Sequence, residues 1–496
     1  SILGYYISGY SKTMLNYLKR VNSTRKIPGP LNLPFLGSLW RYKLGLDEQS
    51  NYHETLDQLH AKYGPVVKQR LGAESIIHLF SPNDVSNIYA NEGRTPEIRP
   101  LQETVQLFRK KTDASLGLGN TNGEEWYKLR NALKTIMLTR SGMAHFTGGI
   151  ETATDALLKK LKSTRTKDNT VPNLMTYLGA WTLESAGAMC FGKRMGFLEE
   201  NEKIADPILK ANRAVFYMST HLRFSTSLYK HFNLPKWNCL VESENHIIKE
   251  IRRFTSEALE TIEKNPLSDK SEEDSFYLMR QLTNNETLTK KDILVLMQSL
   301  FTDSLSTIVP TTIFCLYIMA NEPEIQRKVY EETTKFVSKD APITAKTLDK
   351  LIYSRGLIKE TLRLYPNGTE ISRILDQGFD LSGYHIPAEE HVNLNMVVLL
   401  QSEKEFYRPT EVLPERWSRS ENTQKANPFI LIPFGHGTRT CIGRRYAEQS
   451  MLIAMAKILQ NFKLSYKKDV QPLKQVYNIL MYPTDTRGLI MEPRNV

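Results

Sequence analysis

The stretch "LIPFGHGTRTCIGRRYAE", Leu431 to Glu448, constrains this chain more than any other. Glycines at 435, 437 and 443 permit backbone conformations that side-chain-bearing residues resist, so the segment reads as a tight loop wrapped closely around something. Cys441 lies inside it, with Arg439 and Arg444 on either side. The loop has to be built around whatever Cys441 holds.

Cysteines at 190, 239, 315 and 441 show no close pairing, which argues against a disulfide framework or a zinc site and fits a reducing compartment. With 496 residues and 41% hydrophobic content, the chain can bury a large core. The net charge of +11 is uneven: no acid precedes Asp47, whereas Lys12, Lys19, Arg20, Arg25, Lys26, Arg41 and Lys43 all do. The opening is apolar only up to Lys12, well short of the roughly 20 residues needed to cross a bilayer. We read residues 1–25 as a basic segment at a transit-peptide boundary or as a membrane-surface arm, and residues 26–496 as the working domain. No nucleic-acid motif accompanies the positive charge, so nucleic acid is not an expected partner.

"KIPGPLNLPFLGSLW" (Lys26–Trp40) predicts a rigid extended connector. "GPVVKQRLG" and "SIIHLFS" read as strands, and helical periodicity dominates Gly148–Lys162, Leu174–Cys190, Asn245–Lys264 and Lys291–Ala320. Residues 265–274 form the most polar break, without a second core-sized change in composition. The expected fold is therefore one mainly helical domain with a minor sheet.

Phe434, Gly437, Arg439, Cys441 and Gly443 fit F-x-x-G-x-R-x-C-x-G, and this loop resembles the haem-binding loop of the cytochromes P450. The resemblance implies a single-domain fold with a long central helix over the haem and a small N-terminal sheet. It makes Cys441 the thiolate ligand of haem b iron, with Phe434 and Gly443 beside it and Arg439 on a propionate. "KETLRLYP" places Glu360 and Arg363 on one helix face; by resemblance they join Arg416 of "LPERW" in a structural ionic cluster. "EEWYKLR" supplies Trp126 and Arg130, four apart, which the family aims at the propionates, and Arg373 of "ISRIL" occupies another propionate position.

"GRRYAE" and "SRGLIKETLR" resemble the animal mitochondrial clan, as do "MGFL" and "SGYHIP", with arthropod enzymes as the nearest likeness. The clan implies that Arg355, Lys359, Arg444 and Arg445 form a docking face for an adrenodoxin-type ferredoxin served by an NADPH reductase. It implies peripheral attachment to the matrix side of the mitochondrial inner membrane. A lipophilic substrate is expected, steroid-like and of the ecdysteroid type, enclosed by Arg99–Leu118, Val215–Trp237, Pro366–Ser372 and the turn near Tyr482. Oxidation of xenobiotics, or a haem-thiolate isomerase or dehydratase needing no redox partner, are the alternatives.

The chain departs from the family on the central helix. Alignment on "LYIMANEP" brings "DSLST", Asp303–Thr307, to the oxygen-activating segment: Thr307 is kept, but Ser306 stands where relatives carry an acid. Asp303, Ser306 and Thr307 are the candidate catalytic residues, with Asp303 one turn before Thr307 and able to supply the missing carboxyl. Pro310 lacks an N–H, so a kink should free the carbonyl of Ser306 and leave room for a water chain.

Overall fold

A computed structural model describes residues 26–264, 275–339, 341–418 and 426–494; the basic opening (1–25) and the polar break (265–274) lie outside the described residues. The helices that build the site are α1 (Glu103–Lys111), α2 (Gly123–Met137), α3 (Leu174–Phe191), α4 (Glu202–Arg223), α5 (Pro235–Lys264), α6 (Lys290–Thr302), α7 (Ile308–Asn321), α8 (Ile352–Leu364) and α9 (Arg444–Asn461). One four-stranded sheet joins β1 (Val66–Leu71), β2 (Glu74–Leu79), β3 (Ile371–Ile374) and β4 (His391–Leu394) in the order β1-β2-β4-β3. The connector begins as expected, with the Pro28 carbonyl receiving the Lys68 amide at 2.8 Å, but it is not extended throughout: Leu33 and Gly37 pair across a tight turn with Phe35 at φ +61°, and a short helix takes over at Leu39–Lys43.

The sheet closes a long sequence gap. β2 and β4 pair in parallel, with Ile77 opposite Val392 and Leu79 opposite Leu394, while β3 and β4 run antiparallel with Arg373 opposite Val392. A parallel pair cannot be made by a tight turn, so most of the helical domain is threaded between its two strands. Helix α3 is buried nearly all round, which its uniformly apolar sequence anticipates, and Gly192 ends it in the left-handed conformation. Its one acid, Glu184, is 1% exposed and receives the amides of Met195, Gly196 and Phe197 at 3.0, 3.2 and 2.8 Å. That gives the "MGF" stretch a physical reason: a buried carboxylate turns it back onto α3.

The expected central helix is two helices. A 3₁₀ turn, Asp303–Ser306, separates α6 from α7, and Pro310 falls in the first turn of α7, where a missing N–H costs no helical bond. The break therefore lies N-terminal to the proline and replaces the simple kink.

Glu360 and Arg363 are both fully buried on α8. Arg363 binds Glu360 at 2.7 and 3.1 Å and also donates to the carbonyls of Leu400, Pro409 and Glu411. Glu360 further accepts from Arg416 at 3.3 Å, the Leu413 amide at 3.1 Å and the Trp417 indole at 2.9 Å. Gly356 lets this segment approach, because a Cβ there would stand 2.6 Å from the Pro414 carbonyl oxygen. Glu360→Gln leaves two buried guanidiniums without their counter-charge, and we expect a loss of about 3–5 kcal/mol, read from denaturant unfolding of the purified variant.

Candidate functional site

A cavity of about 620 Å³ lies between the Cys441 loop and the α6–α7 junction. Cys441 is exposed only in the sense that its sulfur faces this cavity; protein surrounds it otherwise. The loop is cornered by Gly435 and Gly437, at φ +70° and +71°, and clasped by the Cys441 amide donating to the Phe434 carbonyl at 2.7 Å. Burial pushes the thiol pKa up, and backbone N–H groups of Gly443 and Arg444 pull it back. A Cβ at Gly443 would lie 3.9 Å from the sulfur, in ordinary contact.

Cations gather at one rim of the cavity. Trp126 and Arg130 are buried on α2, which Lys128 fixes to α6 through Asp292 at 2.8 Å. Arg439 lies 4.2 Å over the Trp126 ring and is held by the carbonyls of Pro96 and Thr121 and by Asn122 Oδ1, at 2.6, 2.7 and 2.8 Å. Burial, with Arg373 and Arg130 nearby, pushes its pKa down to about 9. Arg373 pairs with Glu92, whereas neither Arg130 nor Arg439 has a carboxylate partner among the described residues. Buried guanidiniums facing a cavity without an anion fit the two carboxylates of a haem edge.

On the opposite wall, Asp303 and Thr307 both line the cavity, and the Thr307 hydroxyl donates to the Asp303 carbonyl at 3.1 Å. Burial pushes the Asp303 carboxyl up to about 7, with Arg109 opposing and Glu244 adding to the shift. Ser306 is turned away: its hydroxyl donates to Asn212 Oδ1 at 3.1 Å on α4, and its carbonyl accepts from Asn367 Nδ2 at 3.1 Å. The carbonyl expected to anchor water is therefore satisfied by an amide, because the 3₁₀ turn points it toward the segment after α8.

The expected enclosing segments contribute Arg99–Glu103, Leu118, Val215–Lys230 residues and Asn367–Ser372, but the C-terminal turn offers Ile479 and Leu480 in place of Tyr482, which lines a small separate void. The chain reading missed Glu244, Gln298 and Asn212. Glu244 carried a signal, since it occupies a buried place in the α5 stripe Trp237, Leu240, Glu244, Ile247, Ile251, where an apolar residue belongs.

Below the loop, α9 starts three residues after Cys441 and exposes Arg444 and Arg445. Glu448 joins this turn to α8, lying 3.3 Å from Arg444 and 3.9 Å from Arg355. Partial burial lowers the Lys359 pKa, and the proximity of Arg444 and Arg355 adds to that while Glu448 opposes it. These cations form one surface.

A cavity-facing cysteine in a glycine-cornered loop, with an arginine rim and a broken helix opposite, defines a haem-thiolate protein. The cytochrome P450 family profile matches residues 27–490, and the chain belongs to that family. It is a haem-dependent monooxygenase whose cofactor iron is held by a cysteine thiolate. It is 33% identical to "Probable cytochrome P450 CYP44" of Caenorhabditis elegans, over 92% of this chain and 91% of that protein. It is 27% identical to the mitochondrial 1,25-dihydroxyvitamin D(3) 24-hydroxylase of Rattus norvegicus, over 94% and 89%. It is 25% identical to Ecdysone 20-monooxygenase of Drosophila melanogaster, over 94% and 88%.

The amide holding Ser306 can be tested directly. Asn367→Ala removes the donor to a buried carbonyl and should destabilise the enzyme by about 1–3 kcal/mol. Pro310→Ala adds an N–H in the first turn of α7, which the re-aimed carbonyl does not face, so the double variant should recover none of the loss and the two substitutions should be additive. Thermal unfolding of the four members of the cycle measures that additivity.

Proposed function

We propose that this protein is a mitochondrial-type monooxygenase that inserts one oxygen atom of dioxygen into a steroid-like substrate, with electrons from an adrenodoxin-type ferredoxin and its NADPH reductase. The single observation that carries this reading is that Cys441, Asp303 and Thr307 share one cavity while Arg444, three residues past the cysteine, joins Arg355 and Lys359 on one exposed basic surface. The relative named mitochondrial supports a mitochondrial location, for which we propose the matrix side of the inner membrane, and the names 1,25-dihydroxyvitamin D(3) 24-hydroxylase and Ecdysone 20-monooxygenase support a sterol-derived substrate class.

In this assignment Cys441 is the iron ligand and Phe434 and Gly443 flank it. Trp126, Arg130, Arg439 and Arg373 hold the haem carboxylates, Arg373 sharing its charge with Glu92. The bound haem supplies dioxygen activation, which a thiolate ligand favours by pushing electron density toward O–O cleavage. The chain supplies the proton. Asp303, its carboxyl raised by burial to about 7 so that it gains and loses a proton near neutral pH, holds it one turn from the Thr307 hydroxyl, and Ser306 takes no part because its hydroxyl is bound to Asn212. The basic surface steers the acidic ferredoxin toward the thiolate side.

Turnover of a sterol panel with ferredoxin, reductase and NADPH tests the whole reading; haem-loaded enzyme that never turns over under these conditions refutes it. Cys441→His should abolish the red-shifted carbon-monoxide band of reduced thiolate-ligated haem while the other three cysteines are left in place. Combining Lys359→Glu with Arg444→Glu should slow ferredoxin-driven reduction at least about tenfold at low salt and flatten its salt dependence, with haem content unchanged. Asp303→Asn should keep haem and substrate binding but lower product formed per NADPH, the difference appearing as hydrogen peroxide.

A further inference from the structure

Arg109 and Glu244 bear on the Asp303 carboxyl, yet they form a polar corner of the cavity with hydrogen-bonding capacity that haem binding and proton supply leave unused. Arg109 on α1 is 7% exposed; it donates once, from Nη1 to the Leu116 carbonyl at 2.7 Å, and its Nε is buried without a partner. Gly117, at φ +82°, makes room for it, since a Cβ there would stand 2.9 Å from Nη1. Glu244 on α5 is 4% exposed and receives one bond, from Gln298 Nε2 at 3.3 Å. Both line the cavity, and no described residue forms an ion pair with either. Gln298 precedes Asp303 by five residues, which puts this corner about 7.5 Å along the helix from the acid facing Cys441.

Buried ionisable groups left with unused hydrogen-bonding capacity are costly, so their retention points to a ligand that completes them. Charge selects its chemistry. A carboxylate attracted by Arg109 meets Glu244 and Asp303, and an ammonium attracted by the acids meets Arg109. A hydroxyl suits both sides, accepting from the guanidinium and donating to the carboxylate. We propose that Arg109 and Glu244 recognise a hydroxyl group already present on the lipophilic substrate, held at the α1–α5 end of the cavity away from Cys441. The substrate is then the product of an earlier oxygenation or hydration, and this enzyme acts second on the same skeleton. The proposal rests on the monooxygenase reading above.

Binding and turnover separate the two. Haem-loaded enzyme is titrated with matched probes that differ by having or lacking their one hydroxyl, cholesterol against 5-cholestene and dodecan-1-ol against dodecane, with dissociation constants taken from the substrate-induced haem spectral change and from calorimetry. The wild type should bind the hydroxylated member of at least one pair about tenfold or more tightly, the worth of one hydrogen bond to a charged group. Glu244→Leu and, independently, Arg109→Met should each erase that preference while keeping affinity for the partner lacking the hydroxyl, which also reports on folding. Equal binding of both members, binding of neither, or a preference that survives both substitutions overturns the proposal. So does a change confined to product formed per NADPH, which would make the corner a proton path. A preference that behaves as expected in an enzyme that no ferredoxin can drive would leave the hydroxyl site standing and remove the monooxygenase reading.

Discussion

The Glu360 carboxylate is the point on which the lower half of the molecule hangs. It lies in the protein interior with no exposure, and that is tolerable only because five donors converge on it, from Arg363, Arg416, Trp417 and the Leu413 amide. Through Arg363 the same carboxylate fixes the carbonyls of residues 400, 409 and 411. The chain segment leading toward the Cys441 loop thus has its path set by α8. The exposed edge of that helix carries Arg355 and Lys359 to the surface, so one rigid element positions both the cysteine loop's approach and the basic face beside it.

The upper half depends on a break. An unbroken helix from Lys290 to Asn321 would direct Ser306 and its neighbours by regular 3.6-residue spacing. The 3₁₀ turn re-aims them, sending Ser306 to Asn212 and leaving Asp303 and Thr307 on the cavity. The substitution of serine for the family's acid and the presence of Asp303 belong to one change in backbone geometry: once the turn is tightened, the position that faces the cavity moves back along the chain.

Much of this was legible in the chain. The cysteine loop, the Glu360–Arg363 pair and the Trp126–Arg130 pair are local patterns whose spacing sets their geometry, whereas Arg416, 56 positions from Glu360, was reached only through the family resemblance. Helix α3 and strands β1 and β2 follow from apolar runs and alternation, with ends within a few residues of expectation. What stayed hidden depends on distance in sequence. Asn367 reaching Ser306 and Gln298 reaching Glu244 span 61 and 54 positions, and no periodicity reports such a bond. The exact site of the helix break was also hidden, because Pro310 is compatible with a kink inside a helix or with the first turn of a new one.

Polar groups on the two ends of the cavity are not equivalent, and their hydrogen bonding tells them apart. At the sheet end, Arg223 meets Glu370 at 2.7 Å and the Tyr477 hydroxyl at 2.6 Å, and Glu370 accepts from Asn393 at 2.6 Å. Arg223 and Glu370 satisfy each other's charge and, through Asn393, tie the end of α4 to β4; a ligand would have to break that pair to use either charge. At the α1–α5 end, Arg109 and Glu244 have no such mutual bond, although each is as deeply buried. A fold that pairs an arginine with a glutamate at one end of a cavity and leaves them within electrostatic reach but unbonded at the other keeps donor and acceptor capacity open to the cavity. The sheet end is therefore framework, and the unpaired end is where the cavity discriminates between the molecules that enter it.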